Sequence, residues 1–460
     1  MGETEIKKNE EYIADIIDNG FAGEGIAKIE GFTIFVPNAI KGEKVKILIV
    51  KVLSSHAFAK ILEIIKKSDD RIELDCATYK RCGGCSLRHV KYEETLKMKQ
   101  NSVQNLVNKT LDNKVEVEDV LGMDNPYYYR NKVQFPVGIN KEGKPQIGVF
   151  ANRTHEIIPV ENCLIQDKKA QEIAKRLFEY WIENDNSVYD EINRQGCLRH
   201  IVVKMGKKTN EYMCIIVVNS NNIGNKLEND LIRFLTRAFP EVKTIIINSN
   251  IKNTNVILGD KNKVIYGNGF ITDILGGYKF NISPYSFYQV NPIQAEKLYE
   301  IAVKGANISK DDVVFDLYCG IGTISLFMAK YAKEVYGVEI VDEAIKMARE
   351  NAIINDVKNV EFLTGDTKDV LDDLIGNKNI IPDVVMFDPP RKGLDKHSVD
   401  NILGIKPKRV VYISCNPATL VRDLHFFEDD YLVRFIKPVD MFPFTSHVEV
   451  CALLELKNCQ

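Results

Sequence analysis

The chain has 460 residues, 45% of them apolar and 27% charged, with a formal net charge of −3. That balance fits an ordinary globular protein long enough for roughly three domains with cores of their own, and it excludes a disordered chain. It gives no compositional sign of a nucleic-acid partner, and no uninterrupted apolar run is long enough to span a bilayer.

The opening stretch MGETEIKKNEEYIADI has no apolar segment bounded by basic residues, and Ile6 stands where a myristoylation signal needs Ser or Thr. A cytoplasmic protein, free of membrane, is the expectation. In that compartment grouped cysteines point to metal or chemistry before disulfides. Residues 11–66 read as short period-two strands (YIADIID, GIAKIEGFTIFVP, KVKILIVKVL, FAKILEII) punctuated by glycines. They predict a small β-barrel of OB type, which serves nucleic-acid binding or plain interaction. Charge is uneven. Seven lysines against two acids lie between Lys41 and Lys67, and seven Lys/Arg against two acids between Lys80 and Lys109. Either stretch alone is a solvated face; two of them beside a cysteine motif favour an anionic partner.

That motif is DCATYKRCGGCSLRHVKYE, with Cys76, Cys82 and Cys85. Disulfides, zinc, an iron–sulfur cluster or a radical enzyme are the readings it opens. Residues 91–112 then have helical spacing, and KVQFPVGINKEGKPQIGVF is two alternating runs around Asn140–Gly143, a hairpin. Strands and helices mix to about residue 270, without internal repeats. After residue 310, continuous apolar strands alternate with amphipathic helices, the rhythm of a parallel, doubly wound sheet. The closing runs YLVRFIKPVDMF and HVEVCALLEL have no helix between them and read as an antiparallel pair at the sheet edge.

Asp316-Leu-Tyr-Cys-Gly320-Ile-Gly322-Thr323 lies between a strand and a helix, where glycines let backbone approach a ligand. Ser325 replaces the third glycine of a dinucleotide fingerprint, which argues against NAD. Glu339 ends the next strand, placed to accept from ribose hydroxyls, and Asp366 ends the third, placed to meet an adenine amine. A ribose and base without phosphate describe S-adenosylmethionine. The bland alternative is a glycine turn and two helix-capping acids. Asp388-Pro-Pro-Arg391 follows strand four, and Ser414-Cys415-Asn416-Pro417 ends strand five. Asp-Pro-Pro resembles the motif with which amino-directed methyltransferases hold a base. Arg391, where those enzymes place an aromatic, argues against exocyclic nitrogen chemistry. A strand-end thiol facing the cofactor is positioned as a nucleophile, against the bland reading of a buried small residue. Carbon 5 of uracil becomes nucleophilic only after a thiolate adds at carbon 6, and a base must then remove the carbon 5 proton. Glu449, in SHVEVCALLE, is the candidate base; its bland reading is an exposed edge-strand carboxylate.

With these residues in view, the chain resembles the RNA uracil-5-methyltransferase family over most of its length: a barrel like a TRAM domain, YYYRNKVQF, SFYQVNP, DLYCGIGT, DPPRKG, SCNP and HVEVCALLEL. The resemblance implies Cys415 as nucleophile and Glu449 as base. It sets the cofactor against Gln289, Tyr318, Glu339 and Asp366, with Asp388 at cofactor and uracil. Thr323 stands where some members carry Asn, and Tyr318 where relatives often carry Phe. Members acting on 23S rRNA resemble this chain in Cys-x5-Cys-x2-Cys plus a later cysteine, here Cys163, holding a [4Fe–4S] cluster; the tRNA branch typically lacks them. Cys197, Cys214, Cys319, Cys451 and Cys459 are left to packing. The implied organisation is an α/β protein in three parts. A TRAM/OB-type β-barrel for RNA binding covers 1–66. A central α+β iron–sulfur domain covers 67–270, its helix 91–114 packing on the catalytic domain. A Rossmann-like class I methyltransferase domain covers 271–460. The implied function is methylation of a 23S rRNA uridine by a monomer. The alternatives are a tRNA uracil-5-methyltransferase, a radical S-adenosylmethionine enzyme, or a non-catalytic RNA-binding protein.

Overall fold

A computed structural model describes residues 6–457; Cys459 lies outside the described residues. Five strands, Glu11–Asn19, Gly25–Ile29, Phe32–Val36, Lys44–Val52 and His56–Lys66, close into a barrel. Period-two alternation turns Ile16, Ile34, Val45, Ile47 and Ile49 into its core. The run GIAKIEGFTIFVP holds two of these strands, because Glu30 and Gly31 take φ of 50° and 81°, the pair of positive values that a tight right-twisted hairpin needs.

The middle of the chain builds a six-stranded sheet. Its order is Lys261–Tyr266, Val242–Ser249, Glu211–Val218, Leu198–Gly206, Lys132–Ile139, Pro145–Ile147. One face is covered by the helices Lys168–Glu183 and Asn225–Ala238, with Trp181 fully buried between them and the strands. The other face carries Val202, Met213 and Ile215 into one apolar cluster with the hairpin Ile271–Leu275/Tyr278–Ile282 and the helix Pro292–Gly305. That cluster continues into the last third of the chain, so this core and the next are one body of packing.

The last third is a seven-stranded sheet. Its first five strands are Val313–Leu317, Glu334–Glu339, Val360–Thr364, Val384–Phe387 and Arg409–Ser414, all parallel and joined through helices. Across the sheet the order is third, second, first, fourth, fifth, then Glu449–Leu456 and Tyr431–Val439. Alternate residues enter two separate clusters, Val411 and Ile413 on one face, Val410 and Tyr412 on the other, as a sheet covered on both sides requires. The two closing strands pair antiparallel, but Glu449–Leu456 lies between Arg409–Ser414 and Tyr431–Val439. The expectation of Glu449 on an edge strand is therefore corrected: the edge is Tyr431–Val439. The helix Tyr92–Thr110 packs its Val103 and Val107 into the same cluster as Phe315, Phe427 and Ile436. The basic stretch 80–109 is partly internal for this reason. Lys99 is 2% exposed and Arg88 1%, so neither faces a solvated anionic partner.

Candidate active site

The first parallel strand ends in a loop whose Tyr318, Gly320 and Gly322 all take positive φ, 69°, 56° and 79°. A Cβ on Gly322 would sit 2.6 Å from Phe362 Cζ, whereas one on Gly320 would meet nothing within 4 Å. The loop is thus pressed onto the sheet at one glycine and open at the other, a cradle for a ligand that approaches the backbone. Ser325, in the third-glycine place, donates its hydroxyl to buried Asp316, whose carboxyl is pushed up to about 7 mainly by burial. Glu339 accepts from Gly320 N at 3.3 Å and Val341 N at 3.0 Å, which fixes its carboxylate at the loop mouth. Asp366 is exposed and caps the helix Thr367–Asp372 by accepting from Lys368 N at 3.0 Å through one oxygen. The capping role weighed as the bland reading is realised there, and its second oxygen is not used by that cap. Gln289 and Thr323 lie against the Tyr299 hydroxyl, whose pKa is raised by burial and by nearby Asp388. The Tyr318 hydroxyl lies against Ser398 and Thr367.

The strand-four and strand-five loops are tied together. Asn416 caps the helix Pro417–Phe427 through Ala418 N at 3.2 Å, and its amide donates to Arg391 O at 3.0 Å. Cys415 is half-buried; its pKa is raised by burial, then by Glu449 and Asp388, and opposed by Arg391 beside it. Glu449 is 4% exposed, so the reading of an exposed carboxylate is excluded. Burial, then repulsion from Asp388, pushes it up to about 8, against Arg391; burial pushes Asp388 up to about 7. A thiol, two proton-holding carboxyls and one cation are thereby brought together where the parallel strands end, an arrangement suited to a covalent nucleophile with a base. Partial burial, then Arg391, Lys99 and Arg130, holds His447 below its ordinary value.

Three of the motif cysteines share the loop between His56–Lys66 and Tyr92–Thr110, and Cys163 comes from a second loop. Cys76, Cys82, Cys85 and Cys163 are free and half-buried. Burial raises Cys82 and pushes Cys85 up to about 12, and in both Cys163 and Cys76 add to the shift, with Cys82 adding to that of Cys85, which places the four in one neighbourhood. Gly84 N donates to Cys82 Sγ at 3.3 Å. Among the described residues no three of these sulfurs lie mutually within 4.8 Å. The acidic group that does meet that spacing, Asp112, His425 and Glu428, is engaged internally. Glu428 accepts from His425 Nδ1 at 2.8 Å and from Asn113 N at 2.9 Å.

Sequence reasoning missed Asp316, Tyr299, His447 and the approach of Arg391 to Cys415. Only Asp316 had a usable signal, an acid inside an apolar strand facing Ser325 across the loop.

The sequence model of the tRNA (uracil-5-)-methyltransferase family matches residues 91–457, and that of the TRAM domain matches residues 7–62. An uncharacterized RNA methyltransferase of Clostridium acetobutylicum is 47% identical over 98% of each chain. One from Halalkalibacterium halodurans is 43% identical, again over 98% of each. Among solved structures, the tRNA (uracil-54, C5)-methyltransferase of Pyrococcus abyssi in complex with S-adenosyl-L-homocysteine is similar with a TM-score of 0.77 and 27% identity. That similarity covers 96% of this chain and all of the other.

Proposed function

The chain belongs to the tRNA (uracil-5-)-methyltransferase family and carries a TRAM domain, and from that membership we propose that it methylates carbon 5 of a uridine in 23S rRNA through a covalent cysteine adduct. S-adenosylmethionine-dependent RNA methylation on a class I methyltransferase fold is the common ground of the family and the fold. The observation that carries the covalent reading is the grouping of Cys415, Glu449, Asp388 and Arg391.

In this reading Gln289, Tyr318, Glu339, Asp366 and Asp388 hold S-adenosylmethionine, which supplies a methyl group as an electrophilic sulfonium. The open cradle at Gly320 and the fixed Glu339 carboxylate fit that group. Cys415 gives up its proton as its sulfur forms a bond to carbon 6 of the uracil; the ionised Asp388 carboxylate takes that proton and returns it when the sulfur leaves, so that Glu449, in its ionised form, stays free for the last step. The electron pair moves to carbon 5, with negative charge spread onto oxygen 4, where Arg391 is the available cation. Once carbon 5 carries the methyl group, Glu449 removes its remaining proton. The carbon 5–carbon 6 double bond then re-forms and the sulfur leaves. Burial that raises Glu449 also makes it the stronger base once ionised.

Cys76, Cys82, Cys85 and Cys163 hold a [4Fe–4S] cluster in this proposal: four free, half-buried thiols from two loops brought into one neighbourhood. The cluster supplies structure, since methyl transfer from a sulfonium needs no electron. It is also the feature that favours rRNA over tRNA, the second reading, which has the solved relative's title in its support. Purified enzyme with labelled cofactor should label protein-free 23S rRNA and leave bulk tRNA unlabelled, with label in 5-methyluridine after digestion. Label in tRNA alone would make the tRNA reading correct.

A further inference from the structure

The loop from Asp440 to Val448 joins the edge strand to the strand that Glu449 begins, so its backbone sets where that carboxyl points. The segment right after Cys85 holds this loop. Ser86 N and Leu87 N both donate to Phe444 O, at 3.0 and 2.9 Å, and Ser446 N donates to Ser86 Oγ at 2.9 Å. The Arg88 guanidinium lies 4.4 Å over the Phe444 ring, and Asp75, the residue before Cys76, fixes it at 2.6 and 2.7 Å. Tyr129 OH donates to Pro443 O at 3.3 Å, and Phe444 packs with Met123, Tyr129 and Ile165, with Cys85 and Cys163 against the cluster they form. Phe444 is 2% exposed with φ of 64°, a left-handed conformation that a bulky residue keeps only where its surroundings hold it.

We propose that Ser86–Arg88 is a positioning element for the proton-removing step: the cysteine loop holds the loop ahead of Glu449 in its strained form, so the state of the four thiols is transmitted to the base. This rests on the readings of Glu449 and of the four-cysteine cluster given above for its chemical consequence and its chelation arm, though not for the mechanical coupling that Ser86→Ala tests. When the thiols lose their metal or their order, two backbone hydrogen bonds and a cation–aromatic contact on Phe444 loosen. The strained residue then relaxes, and Ser446 and His447 shift away from the frame that presents Glu449. Ser86, Arg88 and Phe444 are positioning residues; none touches the reacting atoms.

Amide hydrogen exchange on the full chain reads the coupling directly, comparing iron-loaded protein, chelator-treated protein and Ser86→Ala. Chelation and Ser86→Ala should each speed exchange at residues 444–447 by about two- to tenfold, the loss of one hydrogen bond's net worth. The helix Pro417–Phe427 should stay unchanged. Ser86→Ala should also lower kcat with KM for RNA unchanged, and accumulate methyl-labelled protein–RNA adduct on denaturing gels as Glu449→Gln does. Unchanged exchange at 444–447 after both treatments overturns the proposal, whatever the activity. If Glu449→Gln itself gives no adduct while exchange responds, the assignment of the base is what fails, and the coupling stands.

Discussion

Cys415, Asp388 and Glu449 are three acids facing one cation, Arg391, and burial makes all three hold their protons more tightly than in water. The consequence for stability has a definite sign. Glu449 ionises near 4.5 in an unfolded chain and at about 8 when folded, so between those values the folded state binds a proton the unfolded state has lost. Stability from this group therefore falls as pH rises from about 4.5 to about 8 and is level above. Glu449→Gln, which cannot ionise, should melt several degrees above the parent at pH 8.5, with the difference closing towards pH 4. Equal melting temperatures at both pH values would mean that Glu449 is not buried as a costly charge. Cys415 and Asp388 were legible because each directly follows an apolar strand, Asp388 next to a proline and Cys415 two residues before one. Arg391 was legible as a residue but not as a neighbour of the thiol, since that depends on how two loops fold over each other. Tyr299 was not legible, because a tyrosine on the buried side of an amphipathic helix looks like any core aromatic.

The helix Tyr92–Thr110 buries Lys99 against Asp440 at 2.5 Å, and Tyr92 OH donates to the other Asp440 oxygen at 2.7 Å. Burial lowers the Lys99 pKa while Asp440 opposes that shift, and both side chains of the pair are shut away from solvent. Lys99→Met leaves a buried carboxylate with only a tyrosine partner and should cost about 3–5 kcal/mol, read as a lowered urea midpoint. Adding Asp440→Asn should recover part of it. A midpoint unchanged in Lys99→Met would mean that water reaches the pair. The sequence carried the period-two strands, this helix and the strand–helix rhythm. It missed the placement of the last two strands, because a hairpin at the end of a sheet can add in either order. The cue lay in burial pattern: EVCALLEL is apolar on both faces, with Val450 to Leu454 all buried, as an inner strand requires, whereas Tyr431–Val439 leaves Leu432 exposed.

The cysteine loops touch all three parts of the chain: Tyr79 OH donates to Asn38 of the barrel at 3.3 Å, Cys82 bridges to Ala151 through its backbone, and Cys85 and Cys163 lie against the cluster that holds Phe444. Sequence spacing drew attention to Cys76, Cys82 and Cys85, the family resemblance added Cys163, and only the fold shows what they press on. Anaerobically purified protein should be brown, with about four irons per chain. Cys163→Ser should lose iron and destabilise the middle domain before it affects S-adenosylmethionine binding; stoichiometric zinc without iron would contradict the cluster. The account as a whole stands on methylation of carbon 5 of uracil through covalent addition at carbon 6, and the loss of a base in its last step exposes that most directly. General-base assistance contributes about 10²–10⁴-fold, so an adduct stalled without it outlives handling. Glu449→Gln, incubated with RNA and methyl-labelled cofactor and run on a denaturing gel, should show a protein–RNA band carrying the label. The double variant Cys415→Ala, Glu449→Gln should show none. Slow, complete turnover by Glu449→Gln without any such band, or a labelled band that survives Cys415→Ala, would contradict it.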